Sequence, residues 1–446
     1  MKSLSCACIF ATALAMAAFG NTATASEVSK LVDTVLYPHD PSPSGVFRWS
    51  EGATFSLGDQ QRLMMLVTAF GYGGHDFSTA NILRFDSYDG GLNWTPLAEA
   101  QVFQENIGQS NVMAPSLVRI NENKVLSFFN VINSLSDGGP YMKTSLDNGM
   151  TWSSPVALPY QGYGASISDS ALKLSNGRVL LPAWASFDQL GSDYSYSFYS
   201  DNEGVDWSRS AYMTTPAGSS GRPTDPAAEE PTVIELSDSR LMMLMRTYLG
   251  TFYKSYSDDF GETWSTPEDS RIVAPGAMPR LSRMPNGDIL LLYNTALSED
   301  EIDGPWPRKY LAAAVSSDEG ETFHSLQLLE GGSDFPGKIT MANVTFFEGN
   351  AIITYSRSMN LTNAYDWRLQ VIPEAWFIQA PEPSSVAHFA TALIALTAYR
   401  RRKRKGTYGR ALRTRHTSSF VKHYNSEWQT EAGPSARPER NGPVKS

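Results

Sequence analysis

Only 18% of the 446 residues are charged, so a charged side chain that opens a strongly apolar strand is a candidate for chemistry rather than for solvation. Arg48, Asp169, Glu230 and Arg280 each stand at or near such a start. Guanidinium groups are planar, permanently charged forks suited to a ligand carboxylate, and carboxyl groups can give or take protons. Brought together, these residues would make an anion site with acid and base groups beside it. Other chemistries fare worse. Both cysteines, Cys6 and Cys8, lie in the first 25 residues, and the body holds only the scattered histidines His39, His75 and His324, which disfavours a thiolate nucleophile and a Cys or His metal centre. There is no glycine-rich phosphate loop and no GxSxG nucleophile. No cofactor is expected, although an Asp-rich structural calcium site stays open.

The elements that must position these residues are repeats. Ser87 to Trp94, Ser145 to Trp152, Ser200 to Trp207, Ser257 to Trp264 and Ser316 to Phe323 share a Ser, a central Gly and a final aromatic residue. The aromatic positions are 58, 55, 57 and 59 residues apart. In each copy the third residue, Asp in four of them and Asn202 in the other, can bond amides two residues on, the glycine supplies positive φ, and the aromatic ring packs between neighbouring units. Six hairpins carry apolar strands at Leu63 to Phe70, Val125 to Val131, Val179 to Trp184, Leu241 to Tyr248, Ile289 to Tyr293 and Ala351 to Tyr355. Units of this length have no room for crossover helices, and radial repetition of four-stranded sheets protects their edges. The pattern predicts an all-β six-bladed β-propeller over 26–380. An early strand near Leu31 to Tyr37 should close the ring, with Trp367 to Phe377 completing the sixth sheet. The innermost strands should start near Arg48, Met113, Asp169, Glu230, Arg280 and Met341 and converge at one mouth.

The chain ends carry different signals. Lys2, the apolar stretch Ile9 to Phe19 and Ala23-Thr24-Ala25 predict a secretory signal over 1–25. From Arg400 onward the net charge is +10, whereas everything before it sums to −20. A body this acidic argues against nucleic-acid binding. A single copy is expected to act alone, touching a membrane only through its C-terminal segment.

Serial Asp-containing hairpins in six units resemble the Asp boxes, or BNR repeats, of the sialidase superfamily. Ser110 to Trp152, with Asn133-Ser-Leu-Ser-Asp137, resembles its BNR-repeat-like branch. The resemblance implies an exo-α-sialidase type of glycoside hydrolase with an arginine triad for the sugar carboxylate. Arg48, in Phe47-Arg48-Trp49, matches the first of these, with Trp-Ser in place of the family's Ile-Pro. Arg246, 16 residues beyond Glu230, matches the second, and Arg308 the third. Asp76, ahead of Arg84, matches the acid/base, and Glu230-Pro231 the glutamate that activates the nucleophile; Asp169 and Arg280 join as substrate-binding residues. The nucleophilic tyrosine belongs at Met341, and Lys338 to Asn350 contains no tyrosine. Two readings follow: a glycosidase with altered chemistry, in which Glu230 or Asp169 serves as the catalytic carboxylate, or a surface glycan-binding propeller without turnover. A buried ion pair is the structural alternative for each arginine, and Arg246→Ala is expected to spare the fold. Pro381-Glu382-Pro383, the apolar run Ser384 to Tyr399 and the basic cluster Arg400 to Lys405 resemble the PEP-CTERM sorting signal of Gram-negative bacteria, implying export to the cell surface. A basic tail, 406–446, departs from that pattern and is expected to be disordered.

Overall fold

Runs such as Leu63–Phe70 and Ile289–Thr295 are apolar on both faces, as a strand must be when sheets pack against each side of it. The computed structural model describes residues 28–57, 62–96, 111–134, 137–159, 163–166, 169–186, 193–216, 227–296, 308–360 and 362–378. The segments 1–25, 381–405 and 406–446 therefore lie outside the described residues.

The described chain is almost all strand. β1 is Val32–Tyr37. Blade 1 follows as β2 (Arg48–Ser56), β3 (Leu63–Phe70), β4 (Ala80–Ser87) and β5 (Thr95–Pro96). Blade 2 is β6 (Val112–Arg119), β7 (Val125–Ser134), β8 (Asp137–Ser145) and β9 (Val156–Ala157). Blade 3 is β10 (Tyr163–Ser166), β11 (Leu172–Lys173), β12 (Val179–Ser186), β13 (Asp193–Ser200) and β14 (Ser208–Arg209). Blade 4 is β15 (Glu229–Glu235), β16 (Leu241–Arg246), β17 (Thr251–Ser257) and β18 (Glu268–Val273). Blade 5 is β19 (Arg280–Arg283), β20 (Ile289–Thr295), β21 (Tyr310–Ser316) and β22 (His324–Gly331). Blade 6 is β23 (Lys338–Phe347), β24 (Asn350–Ser358) and β25 (Asp366–Pro373), and β1 pairs with β25 as its outermost strand. Every pairing within the blades is antiparallel.

Apolar cores stitch these sheets into a ring, and each of the six junctions has at least one. Trp49, Met65 and Val67 of blade 1 pack on Trp367, Leu369 and Val371 of blade 6. The next junctions join blades 1 and 2, 2 and 3, and 3 and 4. The last two join blades 4 and 5, and 5 and 6. The protein is thus the six-bladed β-propeller expected from the repeats. Its closure is as expected too, with β1 held to β25 by Arg368 and Gln370, both donating to Asp33.

The five repeated turns lie at one end of blades 1 to 5 and hook the neighbour. In the second copy the Ser145 hydroxyl accepts the near amide, Asp147 N–H, at 3.3 Å and also Gly149 N–H at 2.8 Å. The Asp147 carboxylate instead reaches the amides of Met150 and Thr151, at 3.1 and 2.8 Å, so its amide partners sit three and four residues on rather than the expected two. Arg84 of blade 1 donates to Gly149 O at 2.6 Å, and Arg178 of blade 3 to Asp259 O and Phe260 O of the next turn at 3.2 Å each. The aromatic rings do pack between blades: Trp207 meets Phe128 of blade 2 edge-on, with ring centroids 5.5 Å apart.

Candidate functional site

At the opposite end, the inner strands share a kink. Glu51, Ala114, Asp169, Glu230 and Met341, one in each of five blades, have φ of 40°, 56°, 52°, 43° and 55°. In β2, β6, β15 and β23 the same position coincides with a break in strand register, which marks a bulge. A left-handed non-glycine residue costs roughly 1–2 kcal/mol, and here the bulge redirects the side chain that follows the strand's start. The sequence reading located three of these positions, Asp169, Glu230 and Met341, and missed Glu51.

Two charged groups form around the bulges. In blade 1, Arg48 donates to Asp76 Oδ1 at 2.6 Å, to Glu51 Oε1 at 3.0 Å and to Gly74 O at 3.1 Å. Asp76 lies on the loop between β3 and β4, and its side chain is 45% exposed, the most open carboxylate in the cluster. Asn111 pins that loop by donating to Asp76 O and Ser78 O, at 2.6 and 2.8 Å. Gly74 is required there: its φ is +60°, and a Cβ would come within 2.7 Å of Phe47 and 2.8 Å of Asn363 O. Glu51 is buried, and burial, with the charges of Asp76 and Glu230 assisting against Arg48, pushes its carboxyl up to about 7.

In blade 4, Arg246 ends β16 and is buried beside the bulge of β15. It donates to Glu230 at 2.8 Å and pairs with Glu229 at 3.2 Å, and its other terminal nitrogen donates to the Tyr248 hydroxyl. Burial also raises Glu229 and Asp193, and each carboxyl acts on the other. Arg308 donates to Thr340 Oγ1 of blade 6 at 2.8 Å and to Gly276 O at 2.9 Å. Burial, and then repulsion from Arg246, disfavour its cation, whereas an anion between the two would favour both. The two groups feel each other: Glu230 acts on Glu51, and Arg48 and Arg308 both act on Tyr365.

Of the expected residues, Arg48, Asp76, Glu230, Arg246 and Arg308 are therefore brought together. Asp169 and Arg280 form a pair of their own at 3.0 Å, spanning from blade 3 to blade 5. Burial pushes Asp169 up to about 6 even against Arg280. The bulge of blade 6 carries Met341, as the sequence indicated, and no phenol. Among the described residues no group of three His, Asp or Glu side chains is placed to hold a metal ion. Sequence reasoning missed Glu51, Glu229, Asp193, Tyr248 and Tyr365. Glu51 stands three residues beyond Arg48 and Tyr248 two beyond Arg246, spacings that could have been read; Asp193 and Tyr365 give no local signal.

The fold is a six-bladed propeller whose inner strands bring guanidinium and carboxyl groups together at one end. Residues 104–367 match the BNR repeat-like domain, more than half of the chain, and the protein belongs to that family. No curated protein sequence matches it. Solved structures with the same fold include a Dyadobacter fermentans protein of unknown function, with TM-score 0.61 and 15% identity over 78% of this chain and 99% of that one. Trypanosoma rangeli sialidase in complex with sialic acid aligns with TM-score 0.58 and 15% identity over 78% of this chain, which spans 59% of that enzyme's length. The intramolecular trans-sialidase of Ruminococcus gnavus, in complex with oseltamivir carboxylate, aligns with TM-score 0.58 and 15% identity over 79% of this chain and 99% of that one. The fold is sialidase-like.

Proposed function

We propose that the protein is an exported glycoside hydrolase of exo-α-sialidase type that removes terminal acidic sugars from glycans at the cell surface. The observation that supports this reading is the grouping of Arg48, Arg246 and Arg308 with one open carboxyl, Asp76, held at 2.6 Å from Arg48. Guanidinium forks would take the sugar carboxylate, and the acids beside Arg48 and Arg246 keep those two aimed until it arrives. Asp76, on its pinned loop and open to the mouth, would protonate the leaving oxygen. Glu230 holds Arg246 in place at 2.8 Å. The signal over 1–25 and the sorting-type segment 381–405 support delivery to the outside.

The test is hydrolysis of an aryl α-sialoside by the full chain, with neutral aryl glycosides as controls. Release of aglycone from the sialoside alone, lost in Asp76→Ala, is the expected result. Binding of sialic acid without release would leave a glycan-binding propeller, and neither binding nor release would end the acidic-sugar reading.

A further inference from the structure

Arg246 and Arg308 come to the mouth from different blades, yet the segment between β18 and β19 connects with both. Ala274 N–H donates to Gly250 O at 3.2 Å, which ties this segment to the turn that carries Tyr248. That turn is closed by Thr247, whose hydroxyl donates to Thr251 O at 2.7 Å and accepts from Leu249 N–H at 3.2 Å. Ala277 N–H then donates to Pro275 O at 2.7 Å, which makes a three-residue turn centred on Gly276. The Tyr248 ring is seated so closely on this glycine that a Cβ would come within 2.7 Å of it, an approach only glycine allows. On one side the Tyr248 hydroxyl accepts from Arg246, whose guanidinium carbon lies 5.0 Å from the ring centroid. On the other side Gly276 O accepts from Arg308 at 2.9 Å. A phenol and a peptide carbonyl, neither of them charged, thus stand in line between two buried cations. Those cations repel each other, and Arg308 feels Arg246 as the largest charge acting against its own. Coulomb forces alone would spread them, whereas two forks sharing one carboxylate need a fixed separation and aim.

We propose, resting on the acidic-sugar reading of the mouth, that Tyr248 and Gly276 are positioning residues: the ring seated on the glycine sets the separation and aim of Arg246 and Arg308, so that one sugar carboxylate can bridge them. Neither residue has to touch the sugar. Removing the Tyr248 hydroxyl takes an acceptor from Arg246 and leaves the ring on Gly276. Adding a methyl group at Gly276 does the reverse, lifting the ring and carrying the Arg246 acceptor away with it. Both changes act on the guanidinium pair alone, so the loss should fall on the charged end of a ligand and spare the rest of the sugar.

The experiment titrates the full chain by calorimetry with methyl α-sialoside and with its C1 methyl ester, which keeps the sugar and lacks the charge. Wild-type protein is expected to prefer the acid. Tyr248→Phe should lower affinity for the acid about tenfold and leave affinity for the ester within about twofold. Gly276→Ala should do the same, and it should do nothing further in a Tyr248→Ala background, where the ring it displaces is gone. Equal losses for acid and ester, acid affinity within about twofold of wild type in Tyr248→Phe, or an undiminished effect of Gly276→Ala in the Tyr248→Ala background would each overturn the proposal and leave the acidic-sugar reading standing. Wild-type protein that binds acid and ester equally, or binds neither, removes the carboxylate clamp itself, and the positioning role falls with it. Should the Tyr248 variants fold poorly, the split between acid and ester in Gly276→Ala decides. The readout is binding, so a propeller that holds the sugar without hydrolysing it gives the same answer.

Discussion

The two ends of the blades use the same carboxyl groups for opposite purposes. At the turn end, Asp147 is pulled down to about 2: slight burial works against this, but the hydroxyl and amide of Thr151 and the donors of Ser145 and Met150 outweigh it. Asp318 reaches about 2 through the Thr322 hydroxyl and amide. At the mouth, burial dominates, and Glu51 rises to about 7 and Asp169 to about 6. Several backbone donors around an exposed carboxylate make a permanently ionised staple, whereas burial beside one guanidinium makes a group that can exchange a proton near neutrality. Residue type does not separate the two roles; the balance of donors against desolvation does.

The largest blow to the mouth should come from Arg246→Ala. The guanidinium is buried between Glu229 and Glu230, so truncation leaves two carboxyl groups without their cation. We expect a loss of about 3–5 kcal/mol in chemical denaturation together with loss of sialic acid binding. This revises the sequence expectation that the fold would be spared. Arg246→Lys separates the two effects, since it keeps the charge and loses the fork: stability should largely return while affinity stays at least about tenfold down. Full affinity in the lysine variant would count against a carboxylate clamp.

A change at the turn end should be nearly as costly and leave the chemistry alone. Gly204 has φ +86°, and a Cβ there would meet Leu126 of blade 2 at 2.6 Å. Gly204→Ala therefore combines a left-handed alanine with overpacking at a blade junction, and about 2–4 kcal/mol of stability should be lost. Any change in sialoside turnover at a temperature where the variant is folded would blur the division between the two ends.

Next in size is the pH response of Glu51. Its folded value lies above the ordinary 4.5, so the stability it allows is complete below about 4.5 and is lost as pH rises through about 7. Glu51→Gln should flatten the stability profile across that window, removing a slope worth on the order of 3 kcal/mol. An unchanged profile would mean that Arg48 fully compensates the buried charge.

These contrasts explain what could be read without coordinates. The propeller was legible because its signals are local and repeated: turns that need glycine at fixed spacing, and apolar strands sandwiched at six junctions. Arg48, Asp76, Glu230, Arg246 and Arg308 could be named because motif spacing places each near one end of a blade. Glu51 escaped because its role depends on a bulge, and one residue of register decides whether a side chain on β2 meets the channel or the next sheet. Tyr365 escaped for a different reason. It adjoins Arg48 through a bridge between residues more than 300 positions apart in sequence, a contact that exists only once the ring has closed.

The smallest effect tests the staple itself. Asp318 Oδ1 accepts the Thr322 amide at 2.9 Å and Oδ2 accepts its hydroxyl, so Asp318→Ala removes both and should cost about 1–2 kcal/mol. Asp318→Asn should cost less, about 0.5 kcal/mol, because the third turn already works this way. There Asn202 Oδ1 accepts the Asp206 amide at 2.8 Å, in the position the other copies give to aspartate. The two variants should differ in acid as well. Asp318 is held below its ordinary 3.8, so its contribution is present above that value and fades as pH falls through about 2. An asparagine has nothing to titrate, and its variant should lose that part of the acid sensitivity while hydrolysis stays as in wild type. Altered hydrolysis would show that the turn end reaches the mouth through the blade, and the division of labour between the two ends would no longer hold.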